Sequence, residues 1–182
     1  VSYMHSLEKN NSQVLEQIEI EAHKDNVPII RKEMESFLRV ILAIKKPKRI
    51  LELGTAVGYS AILISECLDE DGKITTIENY EKRIPIAKEN IKKAGVEEKI
   101  HIYEGDAVEI LPTLNEKYDV VFIDAAKGKY PFFLKEALRM IEPNGIIFAD
   151  NILYKGYVMS DYNKHKQRTA CLLYTSPSPR DS

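Results

Sequence analysis

Val120-Val121-Phe122-Ile123-Asp124 and Ile146-Ile147-Phe148-Ala149-Asp150-Asn151 are short, almost wholly apolar runs that close on an acid. A run of this kind reads as a strand buried on both faces of a parallel sheet. A carboxylate at its last residue sits at the sheet's carboxyl edge, where open α/β folds place their ligands. Two such corners, Asp124 and Asp150 with Asn151 beside it, offer three oxygen ligands to a hard cation such as Mg²⁺. Capping of the helices that follow is the competing use of Asp and Asn at these places.

The same rhythm extends backwards from these corners. Strands are expected at 49–53, 73–78, 99–103, 119–124 and 146–150, with helices at 59–68, 84–94 and 132–141 and a short one from Ala107. Alternation of this kind builds right-handed βαβ units and a doubly wound, Rossmann-like parallel sheet. Two helices precede it. The first carries Leu7, Val14, Leu15, Ile18 and Ala22 at helical spacing, and the second carries Ile30, Met34, Phe37, Leu38, Ile41 and Leu42. Pro28 is expected in the first turn of that second helix. Gly95 suits a left-handed cap after the helix before it.

Composition narrows the class. With 182 residues, 44% hydrophobic and 30% charged, the chain supports one domain with a real core. A net charge of -2 does not make the whole surface a nucleic-acid magnet. Basic clusters at 45–49, at Lys127 with Lys129, and at 164–168 read first as solvated faces. The apolar runs are shorter than a membrane span and the start lacks a signal-peptide pattern, so no membrane association is expected. Two cysteines, Cys67 and Cys171, do not form a disulfide framework, and a cytoplasmic setting is expected.

From Cys171 the character changes to Cys-Leu-Leu-Tyr-Thr-Ser-Pro-Ser-Pro-Arg-Asp-Ser, which resembles the translation of a transposase sequencing adapter. Residues 1–170 are therefore taken as the domain, cut at its C-terminus, and 171–182 as a non-native tail.

Glu52-Leu53-Gly54-Thr55-Ala56-Val57-Gly58-Tyr59-Ser60 joins the first strand to its helix. Gly54 permits a tight turn and close approach of a ligand to the backbone, and the following helix offers free N–H groups to an anionic group. The spacing departs from the dinucleotide fingerprint. Glu78 ends the second strand, where an acid can accept both hydroxyls of a ribose or simply be an exposed charge. Asp106, in Glu104-Gly105-Asp106-Ala107, could bond an adenine amino group or cap the short helix.

The ordered set Glu52-Leu-Gly-Thr-x-x-Gly-Tyr-Ser60, Glu78, Gly105-Asp106-Ala107, Asp124-Ala-Ala-Lys127, Tyr130 and Asp150-Asn151 resembles the metal-dependent class I S-adenosylmethionine (SAM) O-methyltransferases of the catechol and caffeoyl-CoA type. The resemblance spans roughly residues 27–170. Among subfamilies it is most similar to bacterial enzymes that methylate 5-hydroxyuridine in tRNA. It implies that Asp124, Asp150 and Asn151 hold Mg²⁺ or another divalent cation. It implies that Glu52, Gly54, Thr55 and Ser60 hold the methionine end of SAM, Glu78 the ribose, and Gly105, Asp106 and Ala107 the adenine. Asp124 borders the same crevice, Ile30 closes over the cofactor, and Lys127 stands as a base near the acceptor hydroxyl.

The resemblance further implies two more strands after the region where this chain stops, and a homodimer for the full-length parent. Without those strands an apolar sheet edge is expected, with weak or no activity for the 182-residue chain. The expected reaction is Mg²⁺-dependent methyl transfer from SAM to a hydroxyl oxygen, on 5-hydroxyuridine in tRNA or on a small catechol-like molecule. A nicotinamide-dependent dehydrogenase would share the sheet and the ribose acid but leave the acidic corners unexplained. A non-catalytic SAM- or RNA-binding protein would leave Lys127 without a role.

Overall fold

The computed structural model describes residues 11–125 and 127–150, the side chain of Lys127 excepted. Helix α1 (Gln13–Lys24) starts at Ser12, whose hydroxyl accepts the Leu15 N–H, and buries Leu15, Ile18 and Ala22. Helix α2 runs Lys32–Lys45 and buries Glu35, Leu38 and Leu42. It begins later than the sequence suggested. Pro28 drives Val27 out of the helical region, the β-branched pair Ile29-Ile30 follows, and Arg31 is still extended (φ -78°, ψ 156°). The segment before α2 is thus an extended connector rather than a first helical turn.

Strands β1 (Arg49–Leu53), β2 (Lys73–Glu78), β3 (Ile100–Glu104), β4 (Tyr118–Ile123) and β5 (Ile141–Ala149) form one parallel sheet in the order β3-β2-β1-β4-β5. The order reverses between β1 and β4, and that switch point is where a doubly wound sheet opens a crevice. Helices α3 (Tyr59–Ser65), α4 (Ile84–Lys93), α5 (Ala107–Ile110) and α6 (Tyr130–Met140) complete the crossovers. Alternate residues of the central strands feed two cores. Ile50, Val120 and Phe122 meet α1 to α4, while Leu51, Leu53, Val121 and Ile123 meet α6 through Phe133, Ala137 and Met140.

Two boundaries differ from the expectation for physical reasons. Helix α3 ends at Ser65 because the next turn tightens, with Cys67 N–H bonding to the Ile64 carbonyl and Leu68 N–H to that of Ser65. Strand β5 starts at Ile141 because Pro143-Asn144-Gly145 forms an irregularity inside the strand instead of a turn before it. Asn144 takes φ +66°, and pairing jumps from Tyr118 opposite Ile141 to Val120 opposite Ile146. Gly95 does take a left-handed φ of +67° after α4. Asn151, the further strands and the 171–182 tail lie outside the described residues.

The tips of β1 and β4 are held together at Gly54. Asp124 N–H bonds to the Leu53 carbonyl and Gly54 N–H to that of Ile77. Gly54 has φ +103°, and a Cβ there would stand 2.4 Å from the Asp124 carbonyl oxygen. Gly54→Ala is therefore expected to cost about 1–3 kcal/mol in urea unfolding; an unchanged midpoint would remove the steric argument.

Candidate functional site

A cavity of about 1170 Å³ opens at the carboxyl edge of the sheet. The strand order explains its walls. The turn after β1 supplies Gly54, Thr55, Tyr59 and Ser60; the end of β2 supplies Glu78; the loop after β3 supplies Gly105, Asp106 and Ala107; and the end of β4 supplies Asp124. Ile30 reaches it from the connector between α1 and α2 and is only 5% exposed. The structure thus brings together residues that the sequence scatters over nearly a hundred positions.

Glu52 does not line this cavity. Alternation in β1 turns its side chain toward α3, where it is sealed at 0% exposure. The Ser60 hydroxyl donates to Oε1 at 2.5 Å and the Thr76 hydroxyl to Oε2 at 2.6 Å. Thr55 and Thr76 share a further hydroxyl bond of 2.7 Å. Burial pushes the Glu52 carboxyl up to about 7, with Asp124 and Glu78 acting the same way and the two hydroxyls opposing.

Glu78 grips the turn beside it. Its Oε2 accepts the Ala56 N–H at 2.7 Å, while Oε1 accepts those of Asn79 and Tyr80. Ala56 itself adopts φ +48°, a conformation that this carboxylate supports from below. Asp106 caps the short helix α5 and also lines the cavity. Oδ1 accepts the Val108 N–H at 2.9 Å and Oδ2 pairs with Lys129 Nζ at 2.7 Å. Lys129, then the Val108 N–H, hold the carboxyl below the usual aspartate range. Lys129 reads in the sequence as part of a solvated basic cluster; an ion pair across two loops has no local signature.

Asp124 and Asp150 follow directly on the paired residues Ile123 and Ala149, so they stand at adjoining strand tips. Asp150 N–H bonds to the Ile123 carbonyl at 3.0 Å. Tyr130 ties both strands by donating toward the Ile123 carbonyl at 3.1 Å and the Asp150 carbonyl at 2.6 Å. Burial, then Asp124 and Asp150, hold the Tyr130 proton on. Among the described residues no three His, Cys, Asp or Glu side chains cluster as a metal site. Two hard carboxylates at neighbouring tips nevertheless fit the donor chemistry of a divalent cation, with Asn151 outside the described residues.

Residues 4–176 match the family model described as O-methyltransferase. The chain belongs to that family. It is 37% identical over 129 residues to a catechol O-methyltransferase of Niastella koreensis, covering 69% of this chain and 58% of that protein. A caffeoyl-CoA O-methyltransferase of Medicago sativa is 34% identical over 148 residues, covering 76% and 58%. The chain therefore spans little more than half the length of these relatives. Among solved structures, an O-methyltransferase from Bacillus cereus in complex with SAH superposes with a TM-score of 0.85 at 28% identity, covering 94% of this chain and 80% of that one. TomG of Streptomyces achromogenes, solved with SAM, gives 0.86 at 27%, covering 94% and 79%. Among the described residues no helix is long and apolar enough to cross a membrane.

A pH test follows from Glu52. With its folded value above the ordinary 4.5, its contribution is complete below that pH and is lost as pH rises through about 7. Glu52→Gln abolishes this titration, and its amide can bond Thr76 if the Thr55–Thr76 hydroxyl bond reverses. Relative to the unmodified chain, the variant is expected to gain about 2–3 kcal/mol between pH 4.5 and 8 in denaturant titrations. A difference that stays flat over that window would show that Glu52 ionises normally.

Proposed function

We propose that this chain carries the SAM-binding core of an O-methyltransferase that acts, with a divalent cation, on a hydroxyl placed beside a second oxygen. One observation carries the reading: a single sheet-edge cavity gathers Gly54, Thr55, Ser60, Glu78, Gly105, Asp106, Ala107 and Asp124. Its relatives include structures solved with SAM or SAH.

Strand order lays out the site. The β1 turn would receive the methionine end through Gly54, Thr55 and Ser60, with Glu52 acting from beneath through Ser60. Glu78 would accept the ribose hydroxyls, since Oε2 carries one donor and retains acceptor capacity. Asp106 and Ala107 would meet the adenine, and Ile30 would close the cavity from above. SAM supplies a methyl group on a sulfonium, open to in-line displacement by oxygen. Asp124, Asp150 and Asn151 would hold the cation, which supplies positive charge favouring an ionised acceptor. A phenol loses its proton only near pH of about 10 in water. Lys127, in the 3-10 turn Lys127–Lys129, would take that proton. Holding donor and acceptor in line contributes up to about 7–11 kcal/mol in favourable cases.

The curated relatives named above are catechol and caffeoyl-CoA enzymes, and a vicinal pair of oxygens on a small molecule is the acceptor class they favour. The 5-hydroxyl and 4-carbonyl of 5-hydroxyuridine in tRNA form a similar pair and belong in the same assay. A cytoplasmic setting and a homodimer of the complete gene product accompany this reading. A dehydrogenase gains no support from the family.

Calorimetry on this chain is expected to show SAH binding and none of NAD; the reverse would overturn the cofactor assignment. Methyl transfer, measured on the full-length protein, is expected to stop with EDTA and return with Mg²⁺. Asp150→Asn is expected to lower it at least about 100-fold while SAH affinity stays within a few-fold. Transfer at full rate after chelation would remove the cation from the mechanism.

A further inference from the structure

Beside the cavity lies a buried polar node that the reaction above does not use. Glu35 sits on the apolar face of α2 with Leu38 and Leu42 and is only 5% exposed. Its Oε1 accepts the Tyr59 hydroxyl at 2.7 Å and lies 3.2 Å from Lys32 Nζ, and its Oε2 accepts from Asn11 Nδ2 at 3.1 Å. Lys32 is balanced by a second acid, Glu19, at 2.6 Å. The Tyr59 oxygen in turn accepts from Asn11 at 2.9 Å and Lys32 at 3.3 Å. Tyr59 opens α3 between Gly58 and Ser60, is 2% exposed, and lines the cavity.

We propose that Glu35 is a positioning residue for the methyl donor: it fixes the Tyr59 ring, and through it the start of α3, against the methionine end of SAM. This rests on the cofactor reading above. A carboxylate on the buried stripe of a helix is costly unless its hydrogen bonds are met, and here all the donors come from α2 itself, the residue before α1's cap, and the cavity turn. Burial, then Glu35, keep the Tyr59 proton in place, so the phenol remains a donor. The node touches the β1 end of the cavity only. The adenine end lies beyond β2, at Asp106 after β3. Its effect must therefore fall on one end of the cofactor.

That asymmetry is the test. SAH and adenosine are titrated calorimetrically into the unmodified chain, Glu35→Leu, Glu35→Gln and Tyr59→Phe, well below each melting point. Glu35→Leu is expected to weaken SAH about tenfold and adenosine less than about twofold. Glu35→Gln keeps an acceptor for the Tyr59 hydroxyl and is expected to stay within about threefold for both. Tyr59→Phe leaves Glu35 paired with Lys32 and Asn11, so the fold persists, and it should reproduce the SAH loss. Combining it with Glu35→Leu should add little. Equal weakening of SAH and adenosine, or no change in either, would overturn the positioning role while leaving the cofactor reading intact. An unmodified chain that binds neither ligand would overturn both.

Discussion

Everything at the sheet edge depends on how closely the tip of β1 approaches the tip of β4. Gly54 lies so near the Asp124 carbonyl that a methyl group could be added only with a shift of the backbone. Because the two strands meet there, the turn that would hold a sulfonium donor and the acid that would hold a cation share one wall. Donor and acceptor chemistry would thus be brought within reach of one another by backbone packing, before any side chain acts. Gly58, at φ +85°, continues the same constraint by seating α3 over Ala87. Turn, helix and strand tip are thus packed directly against one another.

The sheet was legible because its signal is local. β4 and the end of β5 are nearly continuous apolar runs, and each of the five strands ends on, or is followed directly by, a residue whose chemistry stands out: Gly54 after β1, Glu78 and Glu104 ending β2 and β3, Asp124 after β4 and Asp150 after β5. Boundaries were less legible where tertiary structure overrode the local pattern. Pro28 reads as a helix start, yet the connector stays extended to present Ile30 to the cavity. Pro143-Asn144-Gly145 reads as a turn, yet β5 absorbs it as an irregularity because Ile141 pairs with Tyr118 on the far side. Cross-loop partners such as Lys129 with Asp106 could not be read at all, since the sequence does not encode which loops face each other. Glu35 left a trace that periodicity could have caught: a charge on the stripe of Leu38 and Leu42.

The acids around the cavity illustrate why a list of carboxylates is not yet a site. Glu52, Glu78, Asp106, Asp124 and Asp150 stand along one edge of the sheet, where each carboxyl needs its own partners. The fold answers this differently at each. Glu52 is buried under two hydroxyls and driven toward its neutral form. Glu78 is spread over three backbone N–H groups. Asp106 meets an ammonium from the opposite loop. Asp124 and Asp150 stand at adjoining strand tips, whose backbones Tyr130 ties together through the Ile123 and Asp150 carbonyls. A cationic sulfonium nearby adds to the same balance. The carboxyls beside β1, β2 and β3 are thus met by hydroxyls, backbone N–H groups and an ammonium, while oxygen donors at the tips of β4 and β5 would suit a divalent cation.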